Sequence, residues 1–301
     1  MKKIIITVVA VGFLASCNSA KKNENTEKLE QTTHVENVKM SNKEKAIAFV
    51  SDALSYQNEA VLKEITREDL IQHNPTVPNG TAVIIDYMLP KLKAAGTKAE
   101  IARVFTDGDY VITHNHWKNA TPFGSDNLIA FDIYRFDKDG KIAEHWDGLQ
   151  PMVKETASGR SQIDGPTEVK DLDKTEANKK LAVSLIEDVL IGKNPSKISE
   201  YISAETYHQH NPQIKDGLTG IVEAVAYLTS QNNMFKYTKI HKVLGEGNFV
   251  LTISEGEWNG GKKHAFYDLF RMENGKIVEH WDVIQEIPTE GLANDNGMFG
   301  F

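Results

Sequence analysis

Two short patterns that carry acidic and imidazole side chains each occur twice in the chain. Lys141-Ile142-Ala143-Glu144-His145-Trp146-Asp147 recurs as Lys276-Ile277-Val278-Glu279-His280-Trp281-Asp282, and Gln72-His73-Asn74-Pro75 recurs as Gln209-His210-Asn211-Pro212. Asp132 and Arg135 have counterparts in Asp268 and Arg271, and Gln150 has one in Gln285. Side chains alternate across a strand, so His145 and Asp147 share one face, with Glu144 and Trp146 on the other. Asp132, His145 and Asp147 in the first copy, with Asp268, His280 and Asp282 in the second, are the candidate acid/base groups. A carboxyl group held away from water has a raised pKa and can take a proton α to a carbonyl. A neighbouring imidazole can donate to the enolate oxygen that develops. Those are the parts an aldol or enolisation reaction requires.

Other polar residues could join them. His73 and Asn74, with His210 and Asn211, are candidate pocket residues; the histidines could equally tie down the turn before Asn-Pro. His114 and His116 share a strand face with Tyr110 and Ile112, and if that face looks inward the first copy gathers four histidines around one pocket. Trp146 and Trp281 are further pocket candidates, although sheet packing accounts for them equally. Two imidazoles on one strand face could also hold zinc or iron with His73 or His145. The second copy has Ile253, Ser254, Glu255 and Glu257 around the equivalent strand and no His-x-His, so no metal ligand is assigned. It has instead His208 beside Gln209 and His264 where the first has Leu128 or Ile129. Denser histidines favour the first copy as the better pocket. Arg135 and Arg271 are expected to pair with a nearby acid, and Asp137, Asp139 and Glu273 to be turn and solvent residues.

The elements that must position these groups repeat as well, in the same order and at a nearly constant offset along the chain. Ser41-Asn42-Lys43-Glu44 is a capping box, and Asp173-Lys174-Thr175-Glu176 is a weaker one. The stripe Ala46, Phe49, Val50, Ala53, Leu54 has its counterpart in Ala182, Leu185, Ile186, Val189, Leu190. Short second helices are expected near 59–66 and 195–202, and third helices near 81–94 and 218–231, with Pro90 kinking or shortening the first of these. Strands follow: Tyr110 to Trp117, Leu128 to Phe136 and Lys141 to Gln150, then Phe249 to Glu255, His264 to Met272 and Lys276 to Gln285. Asp137-Lys138-Asp139-Gly140 and Glu273-Asn274-Gly275 are hairpin turns. Helices first and an antiparallel meander after them make each copy an α+β domain.

The expected organisation is therefore a signal peptide with lipobox over 1–17, a flexible tether over 18–40, a first domain over 41–150, a linker over 151–173, a second domain over 174–290 and a tail over 291–301. Lys2 and Lys3 precede an apolar run, Ile4 to Leu14, that is too short to span a bilayer. Leu14-Ala15-Ser16-Cys17 then resembles the lipobox of bacterial lipoproteins, in which the cysteine is lipidated. Cys17 is the only cysteine, which excludes disulfides and cysteine-ligated metals. The sequence implies an exported protein held to a bacterial membrane, facing the periplasm or in the outer membrane, by its N-terminal lipid alone. A formal charge of -8, about -10 without Lys2 and Lys3, offers no basic face for nucleic acid. The apolar content of 40% is that of a globular protein. The tail, Asn294 to Phe299, is either disordered or covers an apolar surface with its Met and Phe.

The order of amphipathic helix, Gln-His-Asn-Pro, Asp-x-x-x-Arg and Gly-Lys-Ile-x-Glu-His-Trp-Asp-x-x-Gln resembles the SnoaL-like polyketide cyclases of the nuclear transport factor 2-like fold, over most of 41–150 and 174–290. The resemblance implies two tandem cones, each with about three helices packed on a strongly curved, mainly antiparallel sheet around an apolar pocket. It also implies that a pocket aspartate acts as general acid/base in an aldol ring closure without metal or cofactor. The partner would be a small, partly apolar carbonyl compound. Such domains commonly pair through their sheets, here within one chain or in a homodimer. Non-catalytic binding modules share the fold, so a ligand- or partner-binding role is the rival expectation, and a metal-dependent enzyme using His114 and His116 the third.

Overall fold

The computed structural model describes residues 39–301. The expected signal peptide, Cys17 and all but the end of the expected tether lie outside the described residues. Ser41 opens α1 (Asn42–Ala48) with a reciprocal capping box: its hydroxyl accepts from the Glu44 N–H, and the Glu44 carboxylate accepts from the Ser41 N–H at 2.7 Å. The helix continues as a π-helical segment, Phe49–Ser55, and buries the expected stripe from Ala46 to Leu54. Next come α2 (Glu59–Ile65), capped by the Asn58 side chain, and β1 (Thr66–Gln72). The third helix is α3 (Thr81–Val83), a π-helical turn Ile84–Met88 and α4 (Leu89–Ala95). Pro90 sits just after the π-helical turn, which takes up the missing N–H without breaking the helix. Four strands complete the first repeat: β2 (Lys98–Asp107), β3 (Tyr110–Lys118), β4 (Asn127–Phe136) and β5 (Ile142–Pro151).

The second repeat follows the same plan with α5 (Thr175–Leu185), which also runs into a π-helical turn, α6 (Ile198–Tyr201), β6 (His208–Gln209) and α7 (Gly217–Ser230). Its remaining strands are β7 (Lys236–Glu246), β8 (Phe249–Trp258), β9 (Lys262–Glu273) and β10 (Lys276–Glu286). The two five-stranded sheets have the same order, β1-β5-β4-β3-β2 and β6-β10-β9-β8-β7. Every pairing is antiparallel except β1 on β5 and β6 on β10, which are parallel. No helix among the described residues is long and apolar enough to cross a membrane.

Each sheet turns one face to its own helices. Phe49, Leu62, Leu92, Tyr134 and Phe136 fill the first of these cores, and Leu185, Ile186, Val250, Phe266 and Phe270 the second. The opposite faces pack on each other: Phe105, Ile112, Ile129 and Phe131 meet Phe249, Leu251, Tyr267 and Leu269 in a third core, so that residues 40–301 form one compact unit. Reciprocal hydrogen bonds bind the two sheets. The Leu149 N–H donates to Gln285 Oε1 and the Ile284 N–H to Gln150 Oε1, both at 2.8 Å. The Thr106 N–H donates to Glu246 at 2.7 Å and the Gly245 N–H to Asp107 at 2.9 Å. Tyr267 lies so close over Gly148 that a Cβ there would fall 2.5 Å from its ring, and its hydroxyl donates to the Asp147 carbonyl.

The expected linker and the expected tail play equivalent parts. The Ala157 N–H in the linker donates to Pro212 O, and the Ala293 N–H at the matching position of the tail donates to Pro75 O. Ser161 O accepts from His210, and Gly297 O, its counterpart in the tail, accepts from His73. Each repeat's C-terminal extension therefore crosses to the other repeat. The tail buries Met298 and stacks Phe301 on Trp146 and Phe299 on His241, so the apolar-cover alternative is the one observed.

Candidate functional site

The side chains that converge do so because strand register puts them there. Asp132 on β4 lies opposite Asp147 on β5, and His145 stands two residues before Asp147 on the same face. Asp268, Asp282 and His280 repeat the arrangement on β9 and β10. All six are buried. Each trio offers one oxygen or nitrogen per residue within 4.8 Å of the others, so either could in geometry hold a cation. Hydrogen bonds already engage both ring nitrogens of each histidine, however.

In the first repeat His145 bonds Gln72 Oε1 through Nδ1 at 2.9 Å and Asp132 Oδ1 through Nε2 at 3.0 Å. In the second, His280 bonds Gln209 Oε1 and Asp268 Oδ1, both at 3.0 Å. The Asn211 backbone N–H also donates to Gln209 Oε1, which fixes that amide with its oxygen toward the ring. Both partners of His280 are thus acceptors, the arrangement an imidazolium requires. Burial opposes the charge, but the bond to the paired aspartate and the charges of both aspartates outweigh it, and the pKa values of His145 and His280 are raised. Asp147 and Asp282 are each pushed up to about 6, chiefly by burial and partly by the second aspartate, against the pull of the histidine and of Asn74 or Asn211. Asn74 Nδ2 donates to both Asp147 oxygens at 2.9 and 3.1 Å. Asn211 Nδ2 donates only to Asp282 Oδ2, at 2.6 Å, and Oδ1 is buried with no partner among the described residues.

The cavities beside the two trios differ in size. The first trio borders a void of about 40 Å³, which shares Met88 and Phe123 among its lining with an outer cleft of about 290 Å³. The second borders a cavity of about 550 Å³ lined mostly by aliphatic and aromatic side chains of the α5, α6 and α7 regions. Strand register shows one reason. Trp117, opposite Leu128 on β4, projects into the first core, whereas its counterpart opposite His264 is Gly256. Val222 and Val225 of α7 both line the second cavity and are exposed, which places its mouth at that helix. The expectation that the first copy holds the better pocket is corrected: its extra histidines do not face the cavity.

His114 and His116 share a face as expected, but it is the face turned away from Asp147. His114 stacks on Phe131 and accepts from Arg103, whose charge joins burial in pushing its pKa well below the ordinary value. His116 contacts Asn127 and Glu100. The pair therefore does not converge with His73 or His145, which removes the geometry for the expected metal alternative. His73 and Trp146 also leave the pocket: they stack on each other at 4.3 Å beneath the tail, and His73 bonds Glu144. His210 and Trp281 stack likewise at 4.6 Å beneath the linker, with Arg103 over Trp281. Arg135 and Arg271 pair with Glu144 and Glu279. Sequence reasoning missed Gln72, Gln209, Asn115, Tyr207 and Tyr237. Asn115 donates to Asp132 and Tyr237 to Asp268. Alternation through Gln-His-Asn, with the glutamine and asparagine on one face and the histidine on the other, was the available signal for the glutamines.

Residues 46–145 match the sequence model of the SnoaL-like domain. No curated protein matches the chain. Among solved structures, a candidate ketosteroid isomerase from Kribbella flavida is similar at 13% identity and a TM-score of 0.32, covering 38% of this chain and 82% of its own. IdmH, a candidate polyketide cyclase from Streptomyces antibioticus, is similar at 16% identity and a TM-score of 0.30, over 37% of this chain and 93% of its own. An epoxide hydrolase of the LEH-like type from M. tuberculosis is similar at 17% identity and a TM-score of 0.30, over 37% and 85%. Residues 46–145, which carry Asp132 and His145 of the first trio on helices and a five-stranded sheet, are therefore similar to the SnoaL-like domain, with Asp147 just beyond the matched stretch.

Proposed function

We propose that the second repeat binds a small, uncharged, largely apolar carbonyl compound and performs cofactor-free acid/base chemistry on it, with Asp282 as the base. The observation that carries this reading is Asp282 Oδ1, a buried carboxylate oxygen without a partner on the wall of an apolar cavity of about 550 Å³. A pKa of about 6 leaves that carboxylate ionised at neutral pH yet basic enough to act as a general base. Asp282 takes a proton from the carbon next to the carbonyl, and the C–H electron pair moves into a C=C bond as the carbonyl becomes an enolate. Return of the proton to another carbon gives isomerisation; attack of the enolate carbon on a second carbonyl gives aldol closure. The His280–Asp268 pair keeps a positive ring near the developing charge. The resemblance to SnoaL-like cyclases supports the same class. The first repeat, with a void of about 40 Å³ at its trio, is the non-catalytic copy.

The experiment is deuterium uptake at the α-carbons of β-tetralone, followed by NMR, with β-naphthol as a planar binding probe. Asp282→Asn removes the base and lowers enzyme-dependent exchange by about a hundredfold or more while β-naphthol still binds. Exchange at the unsubstituted rate in that variant sinks the reading. We also propose that lipid on Cys17 holds the protein to a membrane, on the strength of Leu14-Ala15-Ser16-Cys17. Cys17→Ser then moves the protein from the membrane to the soluble fraction.

A further inference from the structure

We propose that Tyr207 binds the oxygen of the ligand in the second repeat, so that Tyr207 and Asp282 together define a two-point site that the first repeat lacks. The inference rests on the acid/base reading above. Tyr207 is buried, borders the same cavity as Asp282 and lies two residues before Gln209. Its hydroxyl oxygen accepts from Gln209 Nε2 at 3.2 Å. Gln209 cannot turn over to receive a proton instead, because its Oε1 already accepts from the Asn211 N–H and from His280. The phenol therefore takes a bond from the protein and keeps its own proton, for which no acceptor lies within hydrogen-bond distance among the described residues.

Asp282 Oδ1 is the complementary case, a buried acceptor without a donor. The two groups do not bond each other, yet both face the cavity. A buried donor and a buried acceptor left unmade each carry a desolvation penalty, which a bound molecule can relieve. A carbonyl next to a C–H bond satisfies both at once, its oxygen accepting from Tyr207 and its α-hydrogen meeting Asp282. Burial, with the charges of Asp282 and Asp268, raises the phenol pKa, so Tyr207 stays a donor at neutral pH. Tyr237 is committed to Asp268 at 3.1 Å and is not a competing donor. The corresponding residue in the first repeat is Leu70, two before Gln72, and Tyr134, whose buried phenol feels the charges of Asp132 and Asp147, does not line the void at that trio.

Tyr207→Phe keeps the ring and removes the proton. Exchange into β-tetralone is expected to fall on the order of a hundredfold, the usual loss for one oxyanion donor. The β-naphthol Kd is expected to rise about tenfold, as for one lost hydrogen bond. Exchange at the unsubstituted rate in Tyr207→Phe, with exchange lost in Asp282→Asn, overturns the role of Tyr207 and leaves the acid/base reading standing. Exchange at the unsubstituted rate in both variants overturns both. Should Tyr207→Phe fail to fold, fluorotyrosine incorporated at position 207 keeps the shape and lowers the phenol pKa. The exchange rate at neutral pH then changes with the acidity of the phenol, and an unchanged rate overturns the assignment.

Discussion

Asp282→Asn should make the protein more stable at pH 8 while it removes the proposed base. The folded protein holds the Asp282 proton up to about 6 against an ordinary value of 3.8, because burial disfavours the ionised form. A carboxyl group raised in this way contributes stability that is fully present below 3.8 and lost as pH rises through about 6. The gap between about 6 and 3.8, at about 1.36 kcal/mol per pH unit, comes to roughly 3 kcal/mol. The amide does not titrate and has the same shape. Its oxygen can accept from Asn211 as Oδ2 does, and its NH₂ then takes the place of the unpartnered Oδ1. Urea unfolding of both proteins between pH 4 and pH 8 is the assay. The variant's advantage should be near zero at pH 4, grow through pH 5 to 6 and level off at roughly 3 kcal/mol. A difference that does not vary with pH, or a variant less stable at pH 8, refutes the claim that burial of an ionised carboxylate sets this site's energy.

Three further outcomes follow from the geometry. Exchange into β-tetralone should rise as pH passes through about 6, the value at which Asp282 ionises, and a rate independent of pH between 5 and 7 contradicts that. Trp117→Ala should open the first repeat, adding a second β-naphthol site by titration, at a stability loss of about 3–5 kcal/mol in urea. Gly148→Ala should lower stability by about 1–3 kcal/mol through overpacking, because its Cβ would meet the Tyr267 ring at 2.5 Å.

The grouping of His145 with Asp147 was legible because register is local. A two-residue period fixed His145 with Asp147 and set Glu144 and Trp146 against them, and the repeat carried the assignment to His280 and Asp282. Which face of β3 looks inward was not legible from β3 alone. Tyr110, Ile112, His114 and His116 form a plausible inner face until the second sheet is seen to cover it, with Arg103 and the linker enclosing His114. The strands β2 and β7 escaped notice for a related reason. Lys98, Glu100 and Arg103, like Lys236, Lys239 and Lys242, dilute the apolar alternation of edge strands whose pairing partner lies on one side only. One reason for the reversal in pocket size, Trp117 against Gly256, emerges only when the two repeats are aligned strand by strand. The roles of residues 151–166 and of the tail were hidden too, since a segment that packs on the other repeat has no periodicity of its own.

The reciprocal bonds of Gln150 and Gln285 across the two sheets have an evolutionary consequence. In a dimer of identical chains an isologous contact presents every substitution twice, so a change that enlarges one subunit's pocket enlarges both. Covalent fusion lifts that constraint. Here Tyr267 lies over Gly148, whereas the corresponding residues are Phe131 and Val283, a mismatch that no identical pair could contain. One half can therefore keep a large cavity while its twin, filled by Trp117, retains the fold and shares the core between the sheets.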